Sequence, residues 1–214
     1  MKQPYVQMIG VPGSGKSTIE SKLTTTSLGN LKALPSAKQP MYIYIARLAM
    51  SILFLIICFL VIDWRLNNPI STIRKFIDTG KKYLYLQAQH IGSVVGEGSM
   101  TLMLRVASLC LFSRVLVRFF GPMFVALCSD CLYVVLEVEE HVALDRVKKK
   151  DRKGKINNLT LESKPFRIRY LRLVDEFRLV LGRSGKANYL VVDTNYADPD
   201  VITHDIVERI RNAY

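Results

Sequence analysis

The chain has 214 residues, enough for one α/β domain with a full core and too few for two comfortable ones. Half of its residues are hydrophobic and 22% are charged, which excludes general disorder. A formal net charge of +12 suits phosphorylated ligands, an anionic membrane face or nucleic acid. Neither zinc-finger spacing nor the aromatic-basic signature of an RNA-binding sheet is present, so no nucleic acid partner is expected.

Residues 5–9 form a short β-favouring run, and Gly10-Val11-Pro12-Gly13-Ser14-Gly15-Lys16-Ser17-Thr18 follows it. The stretch fits glycine, four free positions, then Gly-Lys-Ser/Thr. Gly10, Gly13 and Gly15 let the backbone curl so that N–H groups around Pro12 and Ser14 point inward at phosphate oxygens. Lys16 supplies a mobile charge for the β- and γ-phosphates, and Ser17 is placed to ligate Mg²⁺. A helix over 17–26, with Thr18 in its first turn, would face its positive end to the anion. ATP and Mg²⁺ are the cofactors this loop predicts. With no signal peptide ahead of the strand, the expected compartment is the cytoplasm.

Polar residues broken by Gly29, Pro35 and Pro40 make 27–40 a connection. Residues 48–62 are apolar nearly all round, as in a membrane span or a buried helix. These fifteen residues reach only about 22 Å as a helix, and an extension back to Met41 would reach spanning length. A span would separate the phosphate loop from most of the chain. The expectation is therefore a helix that lies against the domain, or dips into the inner face of a membrane, without crossing it. Leu53, Phe54, Ile57 and Leu60 are its candidate buried residues. Arg47, Ser51, Cys58 and Arg65 fall at spacings of four and seven, a thin polar seam suited to a cavity wall.

Pro69 and Gly80 read as breakers around a short surface helix over 70–77. Residues 91–95 read as a strand ending in Gly96-Glu97-Gly98, and 100–120 as one helix stopped by Gly121-Pro122. The second half alternates strand and helix: strand 131–138, helix 140–149, a basic loop over 148–155, helix 164–181, strand 189–193 and helix 199–212. Such alternation implies a parallel sheet covered on both faces. Cys128 and Cys131 have a suggestive spacing, but no second pair joins them and His90, His141 and His204 are scattered, so buried strand cysteines are the default.

Three segments carry a resemblance: the phosphate loop; 129–138 with Ala143-Leu144-Asp145-Arg146-Val147-Lys148-Lys149-Lys150; and Leu190-Val191-Val192-Asp193-Thr194 before the last helix. On these the chain resembles the nucleotide-kinase branch of P-loop proteins. It is similar in particular to thymidylate-kinase-like proteins, including kinase-like proteins of bacterial surface-polysaccharide loci. The resemblance implies a P-loop three-layer α/β fold, built as a single domain over 1–214, with 41–125 as a helical acceptor side and 148–155 as a lid.

It also implies that Glu97 faces the phosphate loop and holds a Mg²⁺-bound water or orients an acceptor hydroxyl. Gly96 stands where the family has an aspartate, and the family's following arginine is missing unless Arg105 serves. Arg146, Lys150 and Arg152 would close over the γ-phosphate. Trp64, Arg65, Arg74 and Tyr83 are available for the acceptor pocket. The implied activity is transfer of the γ-phosphate from ATP to a small cytoplasmic acceptor, a nucleotide or sugar, with peripheral membrane contact through 48–62 and a homodimer as allowed assemblies. The alternative is a non-catalytic or ATPase-type nucleotide-binding module on a membrane or polysaccharide-synthesis assembly.

Overall fold

A computed structural model describes residues 5–25, 41–65, 69–88, 98–128, 131–151, 164–185, 188–195 and 198–213. β1 (Tyr5–Ile9) leads through the glycine loop into α1 (Lys16–Thr25). Four helices follow, α2 (Met41–Leu60), α3 (Pro69–Ala88), α4 (Ser99–Ser108) and α5 (Ser113–Leu127). The second half is β2 (Cys131–Glu137), α6 (Glu140–Asp151), α7 (Lys164–Ser184), β3 (Asn188–Asp193) and α8 (Pro199–Ala213). The three strands pair in parallel in the order β1-β2-β3, with Ile9 opposite Val135 and Glu137 opposite Asp193.

Strand alternation divides the core in two. Val6 and Met8 of β1 with Leu132, Val134 and Leu136 of β2 face one side, covered by Ile19 and Leu23 of α1 and Ile202 and Ile206 of α8. Ile9, Cys131, Tyr133 and Val135 face the other, where α2, α4, α5 and α7 supply a larger cluster. The result is three layers, mostly helical, around a small parallel sheet. α4 lies wholly inside it, with all ten residues buried, Arg105 among them.

Several elements depart from the sequence expectation, each because of a tertiary contact. α3 runs through Gly80 to Ala88, far beyond 77. Gly80 does not break it: the residue is buried, and a Cβ there would already touch Leu55 of α2 at 3.5 Å. The helix over 100–120 is two helices. The chain leaves helical geometry at 109–112 to pair with the end of α2, where Asp63 N–H donates to the Leu109 carbonyl at 2.8 Å and Leu111 N–H to that of Val61 at 2.9 Å. Gly121 and Pro122 lie inside α5 instead of ending it. A Cβ at Gly121 would stand 3.2 Å from Val180 of α7, so the glycine permits a close helix crossing whose burial outweighs the local cost of the proline.

α2 begins at Met41 and shows two faces, not the all-round burial of a core helix. Ser51, Phe54 and Cys58 are buried, whereas Leu53 and Leu60 are exposed, which corrects their assignment to the core. The polar seam does face inward: Arg47 donates to Gln87 Oε1 at 3.0 Å, and Ser51 Oγ to Tyr83 Oη at 3.2 Å. Arg65, past the helix end, is exposed. The strand expected at 91–95 and the connection expected at 27–40 lie outside the described residues.

Candidate functional site

The loop between β1 and α1 has the conformation its sequence requires. Gly13 and Gly15 have φ of +88° and +90°, where a side chain is strained. Gly13 also has no room for one, since a Cβ would lie 2.3 Å from the Ala143 carbonyl oxygen of α6. Buried Ser14 donates its N–H to the Val11 carbonyl at 3.1 Å, and the N–H groups of Thr18 and Ile19 reach the Gly15 carbonyl at 2.9 and 3.0 Å, opening α1. Lys16 Nζ folds across the loop, donating to the carbonyls of Gly10 at 2.5 Å and Val11 at 2.9 Å and to Ser14 Oγ at 3.3 Å. Tyr170 of α7 adds a long bond of 3.4 Å to the Gly10 carbonyl. Ser17 and Thr18 are exposed on the first turn of α1, and no acidic residue there offsets the positive helix end. A curled loop, an ammonium and two exposed hydroxyls at a helix N-terminus suit a phosphorylated ligand with its metal ion.

Arg146 was expected over the γ-phosphate, and the structure gives its guanidinium other partners. Nη2 donates to the Thr194 carbonyl at 2.6 Å and the Asn195 carbonyl at 3.1 Å, while Nη1 reaches that of Gly13 at 3.5 Å. Arg146 therefore braces the phosphate loop against the turn after β3. Residues 148–151 of the expected basic loop belong to α6, because a lysine-rich run continues a helix readily. Arg152, Gly96 and Glu97 lie outside the described residues, as does the side chain of Lys150.

Beside the loop, at the carboxyl ends of β2 and β3, a cavity of about 340 Å³ is lined by Val11, Glu137, Asp175, Arg178, Asp193 and Asn195 among others. Arg178 bonds Glu137, and Asn195 Oδ1 accepts from the Glu139 N–H at 2.7 Å, joining the two strand ends. Partial burial, and next the charge of Glu137, push the Asp175 carboxyl up.

Of the residues expected for an acceptor pocket, Trp64, Arg65 and Arg74 are exposed, but Tyr83 is not available. It is fully buried among the rings of Phe54 and Phe124, and burial pushes its phenol up. Its place in the core follows from its position three residues past Gly80, on the face of α3 that meets α2. Sequence spacing gave no sign of the pair between Asp63 and Arg169, which are 106 positions apart and meet at 2.8 Å. Burial works against the Asp63 carboxylate, yet Arg169 and the Arg65 N–H at 3.1 Å hold its pKa below the usual value. Arg169 Nη1 also donates to the Cys110 carbonyl at 2.9 Å, tying α7 to the α4–α5 junction. Cys128 and Cys131 are buried free thiols, that of Cys131 pushed up by burial.

No protein-family model and no curated protein sequence matches the chain. Among solved structures it is similar to the deoxyadenosine kinase of M. mycoides with bound dATP, at a TM-score of 0.54 and 15% identity, over 99% of this chain and 100% of that one. At that identity the likeness speaks for the fold alone, an α/β architecture shared with that kinase.

Proposed function

We propose that the protein is an ATP-binding phosphotransferase of the nucleotide-kinase type, closest in kind to thymidylate-kinase-like proteins, acting on a small acceptor in the cytoplasm. The geometry of residues 10–18 carries this reading: two glycines at positive φ, Lys16 at the start of α1 and Ser17 exposed beside it. The likeness to a kinase solved with dATP supports it. The phosphates would lie on Gly10 to Thr18, with Lys16 turning from its loop carbonyls to their oxygens and Ser17 holding Mg²⁺. Mg²⁺, when bound, neutralises charge on the transferring group. The base would extend toward the cavity between β2 and β3, at the carboxyl ends of the strands where open α/β sheets bind ligands.

Glu97 is proposed as the carboxylate that receives the acceptor proton or steadies a metal water. Its support is the anchoring of the next helix: Met100 N–H donates to Gln7 Oε1 at 3.1 Å, and Thr101 Oγ1 to the Met8 carbonyl at 3.0 Å. The start of α4, two residues after Glu97, is thereby fastened to the strand that feeds the phosphate loop. Lys150 and Arg152, which follow Arg146 in sequence, are proposed to close over the γ-phosphate. The test is transfer from ATP·Mg to a panel of deoxynucleosides, nucleoside monophosphates and sugars. Glu97→Gln should keep nucleotide binding and lose about 10²-fold or more in rate. Nucleotide binding with no transfer to any acceptor would favour the non-catalytic module.

A further inference from the structure

α2 is long and apolar enough to cross a membrane, yet Ser51, Phe54 and Cys58 along one face are buried in the fold. Inward, Phe54 packs on the rings of Tyr83, Phe120 and Phe124. Outward, Ile45, Ile52, Leu53, Ile56 and Leu60 are from 44% (Ile52) to 75% (Leu60) exposed. The neighbouring helices extend this surface. Leu111 is hydrogen-bonded to Val61, and from there Phe112, Val115, Phe119 and Met123 stand exposed at helical spacing along α5. On the other flank Phe59 meets Phe76 of α3, which exposes Ile70 and Ile77. Exposed apolar side chains on three packed helices are the pattern of an interaction surface.

We propose that the outer faces of α2, α3 and α5 form one docking surface for an anionic phospholipid bilayer, with α2 lying along the membrane plane. Charge selects this occupant. α2 and α5 carry no carboxylate, and the exposed positions flanking the surface hold Arg74, Lys81, Lys82 and Arg114 against Asp78. At the start of α5 an open groove of about 670 Å³ has Arg114 and Arg172 on its walls beside Phe112, Val115 and Leu173, while Arg169 on the same wall is held by Asp63. Guanidiniums next to apolar side chains match headgroup phosphates above acyl chains. A symmetric second copy would set the same cationic rim against itself. Insertion across the membrane would pull Phe54 from its cluster. The proposal stands independently of phosphoryl transfer.

The test is sedimentation of the full chain with vesicles of phosphatidylcholine alone and of phosphatidylcholine mixed with phosphatidylserine. Binding should be confined to the anionic vesicles and weaken with salt. Ile56→Asp, Phe119→Asp and the double variant Lys81→Glu/Lys82→Glu should each lower partitioning by about tenfold or more, while melting and ATP binding stay as in the parent. Absence of binding to either vesicle, or binding unchanged in all three variants, overturns the proposal. So does a dimer by light scattering that these variants dissolve without any lipid binding. Carbonate-resistant retention in membranes, with tags at the two ends on opposite sides, would replace docking with a span.

Discussion

Arg146 illustrates how one residue can be drawn to a helix by sequence and given its task by neighbours. Its guanidinium joins three backbone carbonyls from two loops, a fork that neither lysine nor alanine reproduces. Arg146→Ala should therefore weaken ATP binding by about tenfold with a smaller change in kcat, since removing charged hydrogen bonds loosens the loop that holds the phosphates. A large fall in kcat at unchanged affinity would return the residue to the lid role. Asp63 makes a prediction in pH. Its folded pKa lies below that of the unfolded chain, about 3.9, so the stabilisation from Arg169 is fully present above that value. It is lost as pH falls through the lower folded value. Asp63→Asn should cost about 1 kcal/mol near neutrality, with solvent screening limiting the pair, and the gap to the parent in denaturant melts should begin to narrow only as pH falls below the unfolded value of about 3.9.

At the scale of elements, α2 separates burial from hydrophobicity. Phe54 and Leu53 are adjacent and both apolar, but Phe54 is fully buried and Leu53 is 45% exposed. Phe54→Ala opens a hole among three aromatic rings and should cost about 3–5 kcal/mol in chemical denaturation. Leu53→Ala should stay within about 0.5 kcal/mol. Equal losses would mean that α2 is covered on both sides in solution. The α2–α3 hairpin explains why: Arg47–Gln87, Ser51–Tyr83, Leu55–Gly80 and Phe59–Phe76 set one antiparallel register. Only one face of α2 can follow it.

For the whole molecule, the loop after β1 is the place where a bound nucleotide would couple the layers. The loop touches α6 at Gly13 and α7 at Tyr170, so a ligand held by it ties both helices to β1. ATP·Mg at 100 times its dissociation constant should stabilise the protein by about 2.7 kcal/mol, a shift of several degrees in thermal melting. Lys16→Ala should abolish the shift, lowering affinity by more than about 100-fold, while the unliganded melt changes little. A full shift in that variant would show that ATP binds elsewhere.

Local chemistry was legible in the chain itself. Glycine spacing marked the loop, because glycine tolerates φ near +90°, and the runs 131–138 and 189–193 read as strands, which pair in parallel over Cys131–Glu137 and Asn188–Asp193. The three-layer order followed from strand–helix alternation. What the chain alone did not reveal depends on partners far apart in sequence. Gly80 and Pro122 are breakers by propensity, yet each sits within a helix stabilised by packing against another. The 109–112 break exists only because the end of α2 offers backbone groups to pair with. Tyr83, available to a pocket on composition, is a core residue because α3 turns that face to α2, and Asp63 gains its charge partner only when α7 crosses the α4–α5 junction. Propensity is a property of a few neighbouring residues, whereas burial and charge pairing are properties of the folded contacts, and those were decided by the tertiary structure.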